Sequence, residues 1–231
     1  MKITQNVWQS LSHQIHTSRN ILSTAAIAVA MLVAAVVTPI LLAMDLCPKP
    51  FQGSKPKPMS IISILDFYRG GKNDQGATLE EIWSRDDGAL EGDHSYIQWL
   101  FPLKGASKFN PTASLTDGKT MSAFKGDKVL QEKLFKSLKV MLKFYGFTID
   151  GQGQIAPSRD FVAKSKNWLN RGNHNRGNHN YLRISRILES LCLHGLKPHA
   201  EAFLKALEGV YQKHSKDIGA TTLSYWKGSV H

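Results

Sequence analysis

A chain of 231 residues with 42% hydrophobic content is long and apolar enough to bury an ordinary core, which excludes a disordered protein. Its formal net charge of +11 suits contact with an anionic membrane surface or a nucleic acid, although many basic domains simply have basic surfaces. The two cysteines, Cys47 and Cys192, lie in no Cys-x-x-Cys motif, so neither a disulfide framework nor a structural zinc site is expected.

The first fifty residues contain one long apolar segment. Residues 21–44 carry no charge, and a helix needs about 20 such residues to cross a membrane. A cleaved signal peptide and a buried core helix are the alternatives. A signal peptide has an apolar stretch of about 7 to 15 residues after a short basic start, whereas this segment is longer and follows a mostly polar segment at 1–20. The sequence therefore predicts a retained transmembrane helix at 21–44 in a single-pass protein whose partner is the lipid bilayer.

Residues 45–58 are rich in proline and lysine, which is typical of an extended tether. Basic residues flank the apolar segment on both sides, with two before it and three after it, so the side of the membrane on which the rest of the chain lies stays open. We expect a folded domain over residues 59–231.

Helical spacing of apolar residues begins at Met59 and continues to Tyr68, where two glycines end it. Thr78 and Glu81 have the spacing of a capping box at the start of a second helix. Residues 90–101 are read as the end of a central buried helix that Pro102 closes, and the pair at 116–117 is read as the cap of a short helix.

Residues 127–145 form the clearest amphipathic pattern, and Gly146 stands where such a helix would end. Four lysines occupy the face opposite the apolar one. Such a face is usually solvated surface, and a footprint for a membrane or a nucleic acid is the alternative. Residues 147–156 could form a small hairpin that turns at Asp150 and Gly151.

Residues 171–175 read Arg-Gly-Asn-His-Asn, and residues 176–180 repeat those letters. Polar tandem copies of this kind favour a loop. His174 and His179 stand five apart, unlike a His-x-x-x-His pair on one helix face, so metal binding is not expected. Helical patterns follow at 181–194, around 203–211 and at 221–226. The fold class predicted is all-α: a single helical domain of about six to eight helices that could include a small β-hairpin, preceded by one transmembrane helix.

The decapeptide from His94 to Leu103 combines apolar bulk with polar groups. Its aromatic and aliphatic side chains require burial, yet each buried polar tip then needs a hydrogen-bond partner, because leaving one unpaired costs about 1 to 3 kcal/mol. Those tips are satisfied by the surrounding fold, which makes them structural, or they open into a cleft, which makes them a site.

Several ordered blocks of this sequence resemble the conserved region of the opioid growth factor receptor family. They are Phe67-Tyr68-Arg69-Gly70, the segment 78–83, the segment 94–103 that ends in Trp-Leu-Phe-Pro-Leu, the segment 141–146, Asn167-Trp168, and the segment 179–188 that begins His-Asn-Tyr-Leu-Arg-Ile. The resemblance covers roughly residues 61–225. It implies an all-helical domain in a family named for binding an endogenous opioid peptide and associated with membranes, without a catalytic activity or a cofactor.

The resemblance therefore implies a non-enzymatic binding module, and a structural or protein-interaction domain at a membrane surface is the alternative. Aromatic walls with a few polar groups are common in ligand sites, and arginine pairs well with carboxylates and phosphates. The candidate ligand-binding residues are His94, Tyr96, Gln98, Trp99, His179, Asn180, Arg183 and Arg186. The partner expected there is a peptide or another anionic ligand. No nucleophile elbow, phosphate loop or His-Glu-x-x-His motif favours an enzyme, and no recognised module favours specific nucleic-acid binding.

Overall fold

The computed structural model describes residues 62–108, 110–169 and 178–231, and ten α-helices and one small sheet lie within those ranges. The helices are α1 (Ile64–Tyr68), α2 (Leu79–Trp83), α3 (Asp87–Gly92), α4 (Ile97–Leu100), α5 (Gly118–Gly126), α6 (Lys128–Tyr145), α7 (Phe161–Lys164), α8 (His179–Leu193), α9 (Lys197–Ile218) and α10 (Ala220–Gly228). Strands β1 (Phe147–Ile149) and β2 (Ile155–Pro157) lie between α6 and α7. The predicted helical class is confirmed for the described residues.

Local capping signals set the ends of several helices. The capping box of α2 is present, with Glu81 N donating to Thr78 Oγ1 at 3.3 Å and Thr78 N donating to Glu81 Oε2 at 2.7 Å. Helix α6 begins after Asp127, whose carboxylate accepts from Val129 N at 2.9 Å. It ends at Gly146, which has a φ of 85° and where a Cβ atom would stand 2.9 Å from Lys164 Cβ. Both predicted ends of this helix are confirmed.

The predicted hairpin is also confirmed. Strands β1 and β2 pair in antiparallel register, with Phe147 opposite Pro157 and Ile149 opposite Ile155. The turn forms because the carboxylate of Asp150 accepts hydrogen bonds from the backbone N–H groups of Gln152 and Gln154, as short aspartate-led turns commonly do.

Helix α8 lies at the centre of the C-terminal half, where it packs against α9 and α10. Three tryptophans of the described core are fully buried, and each indole N–H has an acceptor, as buried tryptophans require. Trp99 donates to Asp74 Oδ1 at 2.9 Å, Trp168 to the carbonyl of Tyr145 at 3.0 Å and Trp226 to the carbonyl of Tyr181 at 3.1 Å.

The expectation of one buried helix over residues 90–101 is wrong. Helix α3 ends at Gly92, and α4 begins only at Ile97. Asp93 between them is extended, with φ −90° and ψ 125°, and its carboxylate accepts from Ser95 N at 2.7 Å. That local turn competes with a helix for the backbone of residues 93–96, so the chain breaks where apolar spacing alone predicts continuity.

Within the described ranges, no helix combines the length and apolar character needed to cross a membrane. The predicted polar segment 1–20, transmembrane helix 21–44 and tether 45–58 lie outside the described residues, as do positions 171–177 of the tandem repeat.

Candidate ligand-binding site

The side chain of Arg183 joins α8 to the end of α3. Its guanidinium donates to the carbonyls of Leu90 at 3.0 Å, Glu91 at 3.4 Å and Asp93 at 2.7 Å. The C-terminal turn of a helix leaves carbonyls without intrahelical partners and favours positive charge beside them. Because only 5% of Arg183 is exposed, these donors are committed to holding the break between α3 and α4.

Asn180 forms the second connection between α8 and α3. Its amide N–H₂ donates to Glu91 Oε2 and to the Asn167 carbonyl, both at 3.0 Å. Its amide oxygen accepts from Arg183 at 3.2 Å and from the Tyr145 hydroxyl at 3.4 Å. Asn180 is fully buried, so it has no polar capacity left for a ligand.

Two histidines meet above this network. The rings of His94 and His179 lie edge to face with centroids 4.9 Å apart. His179 Nε2 stands 3.1 Å from Glu91 Oε1, without the alignment of a hydrogen bond. Burial lowers the pKa of His179, and the carboxylate of Glu91 opposes that shift. The ring of His179 is therefore held closer to its neutral form than a solvated histidine would be.

A cleft of about 400 Å³ opens between α8 and the segment that runs from the break through α4 into the following loop. Its wall is mostly apolar with a few polar groups, which is the usual composition of a ligand site. It is lined by His94, Ile97, Gln98, Leu103, Ser107, Lys108, His179, Leu182, Arg183, Ser185, Arg186 and Glu189.

Gln98 and His179 are the two cleft residues with a buried polar atom that lacks a hydrogen-bond partner among the described residues. Only 4% of Gln98 is exposed. Its amide nitrogen donates to Ser107 Oγ at 3.1 Å, but its Oε1 atom is buried and has no hydrogen-bond partner within the described ranges. An acceptor in that state costs about 1 to 3 kcal/mol, and a natural core seldom leaves one. A ligand N–H group in the cleft would remove this cost.

Arg186 supplies a cation to the same wall. Its Nη1 atom donates to the Phe101 carbonyl at 3.1 Å, three residues beyond Gln98 in the chain. Among the described residues no carboxylate forms an ion pair with it, although Glu189 lies on the cleft wall as well. Burial lowers the pKa of Arg186, which is the expected sign for a guanidinium that has lost water without gaining a full counter-charge.

The eight predicted site residues thus fall into two groups. His94, Gln98, His179, Arg183 and Arg186 come together on the cleft wall. Tyr96, Trp99 and Asn180 are fully buried and do not line it. Tyr96 donates to the Leu90 carbonyl at 3.1 Å and lies beneath the Arg183 guanidinium at 5.5 Å.

Sequence reasoning missed the apolar part of the wall, which Ile97, Leu103 and Leu182 supply. Leu182 is one of the apolar residues of its helix, yet it is 60% exposed. Its position in the sequence does indicate that it lies beside the predicted site residues, because residues 179, 182 and 186 share one helix face. Among the described residues, no group of histidine, cysteine and acidic side chains could hold a metal ion.

Comparison with known proteins finds relatives of the part of the chain that contains these residues. A family model described as the opioid growth factor receptor (OGFr) conserved region matches residues 63–231. The rat opioid growth factor receptor is 36% identical over 173 residues, which are 70% of this chain and 28% of the relative. The human receptor is 32% identical over 177 residues, covering 72% of this chain and 25% of the relative.

The mouse opioid growth factor receptor-like protein 1 is 34% identical over 175 residues, covering 71% of this chain and 36% of the relative. The match therefore spans only about a quarter to a third of the length of these curated relatives. No solved structure matches the chain.

Proposed function

The chain belongs to the opioid growth factor receptor family, and from that premise we propose that residues 63–231 form a non-enzymatic, receptor-like ligand-binding module. The similar proteins reported above are named receptors or receptor-like proteins. The cleft adds a physical reason for binding, because polar side chains that could recognise a ligand lie beside an apolar wall.

The unpaired Oε1 atom of Gln98 carries this proposal. The neighbouring tryptophan, Trp99, is equally buried and fully hydrogen-bonded, so the fold is able to satisfy polar groups in this segment. Gln98 differs in that it lines an open cleft and its Oε1 atom, which is buried behind the wall, has no hydrogen-bond partner among the described residues. A bound N–H donor would complete the only bond that this side chain lacks among the described residues.

The ligand that fits best combines three features. It carries an N–H donor for Gln98, an anionic group for Arg186 and an apolar portion for the wall around Leu182. Arginine recognises carboxylates and phosphates with charge-assisted hydrogen bonds. The relatives are named as receptors of an opioid growth factor, and a short peptide with a free carboxylate has all three features. We therefore place a peptide ahead of other anionic ligands.

Residues 21–44 would hold this module at a lipid bilayer, with 45–58 as its tether. The length and lack of charge of that segment support the proposal. Extraction of membranes with alkaline carbonate tests it: an integral chain stays in the pellet, and release of the intact chain into the supernatant would exclude a spanning helix.

A protein-interaction domain at the membrane surface is the second candidate. The exposed side chain of Leu182 favours it, because an exposed leucine beside an apolar cleft is also what a protein interface presents. A partner protein would cover Leu182, whereas a short peptide would leave part of it exposed.

Thermal-shift measurements on the full chain in detergent test the ligand-binding proposal. The probes are an enkephalin pentapeptide, the same peptide with an amidated C-terminus, a nucleotide and soluble phospholipid headgroups. We expect the free peptide to raise the melting temperature more than the amidated one, because amidation removes the anion that Arg186 would bind. The gain should be lost in Gln98→Leu and Arg186→Ala and kept in Lys205→Ala, which changes an exposed residue of α9. Stabilisation by none of these probes would contradict the proposal.

A further inference from the structure

Helix α6 presents a row of exposed lysines that the binding cleft does not use. Lys128, Lys136, Lys139 and Lys143 are exposed, and their positions fall within one face of the helix. We call these four residues the lysine row. Glu132 is the one acidic residue on the same face, and it forms no ion pair with a described residue.

Among the described residues no carboxylate forms an ion pair with the lysine row, whereas nearby cations are paired. Lys164 pairs with Asp87, and Arg85 pairs with Asp93 at 2.6 Å. In the described part of the chain no carboxylate pairs with Lys136, which instead lies 4.2 Å from the centroid of the Trp83 ring.

Lys139 likewise lies over an aromatic ring, with its ammonium group 4.8 Å from the centroid of Phe135. A groove of about 790 Å³ runs beside these lysines, with Trp83, Asp86 and Asp87 also on its wall, and Asp87 is paired with Lys164. The surface therefore offers several positive charges next to a partly exposed indole. Lysine beside tryptophan is the composition that proteins place at the boundary between membrane and water.

The route by which the chain enters the domain leads to the same helix. Helix α1 is the first described helix after the tether, and its Tyr68 carbonyl accepts a 2.6 Å hydrogen bond from Lys133 of α6. Residues 45–58 could reach about 40 Å if fully extended as a polyproline helix. That reach allows α6 to lie flat on the surface in which residues 21–44 would be embedded.

We propose that the lysine row docks on the anionic face of a lipid bilayer and holds the domain in one orientation. This inference rests on the proposed membrane segment for its local lipid concentration, while the contact itself is electrostatic. Each basic residue close to an anionic leaflet contributes about 1 kcal/mol, which corresponds to about fivefold in the ratio of docked to undocked domain. The attraction decays within a Debye length of about 8 Å at physiological ionic strength, so only side chains at the surface contribute.

Lysine acetylation followed by mass spectrometry tests this on the full chain in nanodiscs. One set of discs contains only zwitterionic phosphatidylcholine, and the other contains added phosphatidylserine. We expect the lysine row to be acetylated severalfold more slowly in the anionic discs than in the neutral ones. Lys205 and Lys216 of α9, which are also exposed, serve as internal references whose rates stay unchanged. Salt at 0.5 M should remove the protection.

A triple variant, Lys136→Gln with Lys139→Gln and Lys143→Gln, gives a second readout through Lys128. Three lost charges should lower the docked-to-undocked ratio about a hundredfold, so Lys128 is acetylated as fast in anionic as in neutral discs. The matched variant Lys205→Gln with Lys216→Gln should keep Lys128 protected.

Equal acetylation of the lysine row in both kinds of disc would overturn the proposal, as would protection by added RNA but not by anionic discs. If the chain does not insert into the discs, it is mixed with an excess of preformed discs of the same two compositions. Slower acetylation of the lysine row in the anionic discs then still reports docking. A failed anchor and a failed docking surface therefore give different results.

Discussion

The guanidinium of Arg183 donates a 2.7 Å hydrogen bond to the carbonyl of Asp93, ninety positions earlier in the chain. This contact holds the chain segment between α3 and α4 against α8. Because the cleft lies between that break and α8, Arg183 sets the shape of the cleft wall even though its own donors are occupied. Its role in binding would then be to position other groups, chiefly His94, whose Nδ1 atom lies 3.3 Å from Arg183 Nη2.

Replacement of Arg183 by alanine should destabilise the protein strongly. It removes the guanidinium donor from the carbonyls of Glu91 and Asp93 and one of the two side-chain donors from the carbonyl of Leu90, which keeps the Tyr96 hydroxyl, and we expect a loss of about 3 kcal/mol in the free energy of unfolding. Arg183→Lys should recover little, because an ammonium group cannot span three carbonyls as a planar guanidinium does. Urea denaturation measures the free energy of unfolding of both variants. Arg186→Ala, which loses one carbonyl bond, is the matched control with a cost of about 1 kcal/mol; an equal loss in the two alanine variants would contradict this assignment.

Replacement of Gln98 by leucine should separate stability from binding. The variant removes a buried acceptor that has no partner, so the unliganded protein should gain about 1 kcal/mol, or about 2 to 4 °C in melting temperature. The same change should abolish stabilisation by any ligand that donates to Gln98. Calorimetry with and without ligand measures both effects.

Gln212→Leu is the control for this pair of effects, since Gln212 is exposed on α9 and should change neither quantity. A Gln98→Leu protein that is less stable than the wild type by 1 kcal/mol or more would show that the amide is needed by the fold, and the proposal for this residue would then fail.

Because His194 is buried, we expect the free energy of unfolding to fall in mild acid. Its Nδ1–H donates to the Ser190 carbonyl at 2.7 Å, which leaves Nε2 to accept from the Thr116 hydroxyl at 2.9 Å, so the neutral ring is the form that fits. Burial, aided by the charge of Lys125, lowers the pKa of His194 to about 4.

An unfolded chain would protonate that ring near pH 6.5, its unperturbed value. Stability from His194 is therefore complete above pH 6.5 and falls as the pH drops towards 4, by about 3 kcal/mol in total. Urea midpoints measured from pH 7.5 to 4 test this. His194→Gln should flatten that slope. An unchanged slope in the variant would assign the pH dependence to other groups.

Much of the fold follows from signals that act within a few residues. The capping box at Thr78, the cap at Asp127 and the glycine at Gly146 each satisfy backbone groups of their own helix, so the ends of α2 and α6 are readable from sequence. The break after Gly92 is different, because the local turn at Asp93 is joined there by a contact with a guanidinium ninety positions away. Spacing of apolar residues contains no information about that contact.

In the candidate site, too, local sequence predicts only part of the structure, as two adjacent residues show. Gln98 and Trp99 are adjacent, similarly buried and equally demanding of hydrogen bonds. Trp99 donates to Asp74, while the Oε1 atom of Gln98 has no hydrogen-bond partner among the described residues. The sequence identifies both as polar groups in an apolar segment, but only the tertiary position of each side chain decides which one is available to a ligand.

Glu91 offers a direct test of the electrostatics at the cleft. Its carboxylate raises the pKa of His179 and thereby opposes the larger effect of burial, which lowers it. Glu91→Gln keeps an oxygen for the Asn180 amide but removes the charge, so the pKa of His179 should fall further. Titration of the imidazole ring protons by NMR measures the change. Glu189→Gln removes another carboxylate from the cleft wall and should change the pKa of His179 much less, because Glu189 is not among the main causes of the shift. An unchanged pKa of His179 in Glu91→Gln would mean that the ring and the carboxylate are not neighbours in solution.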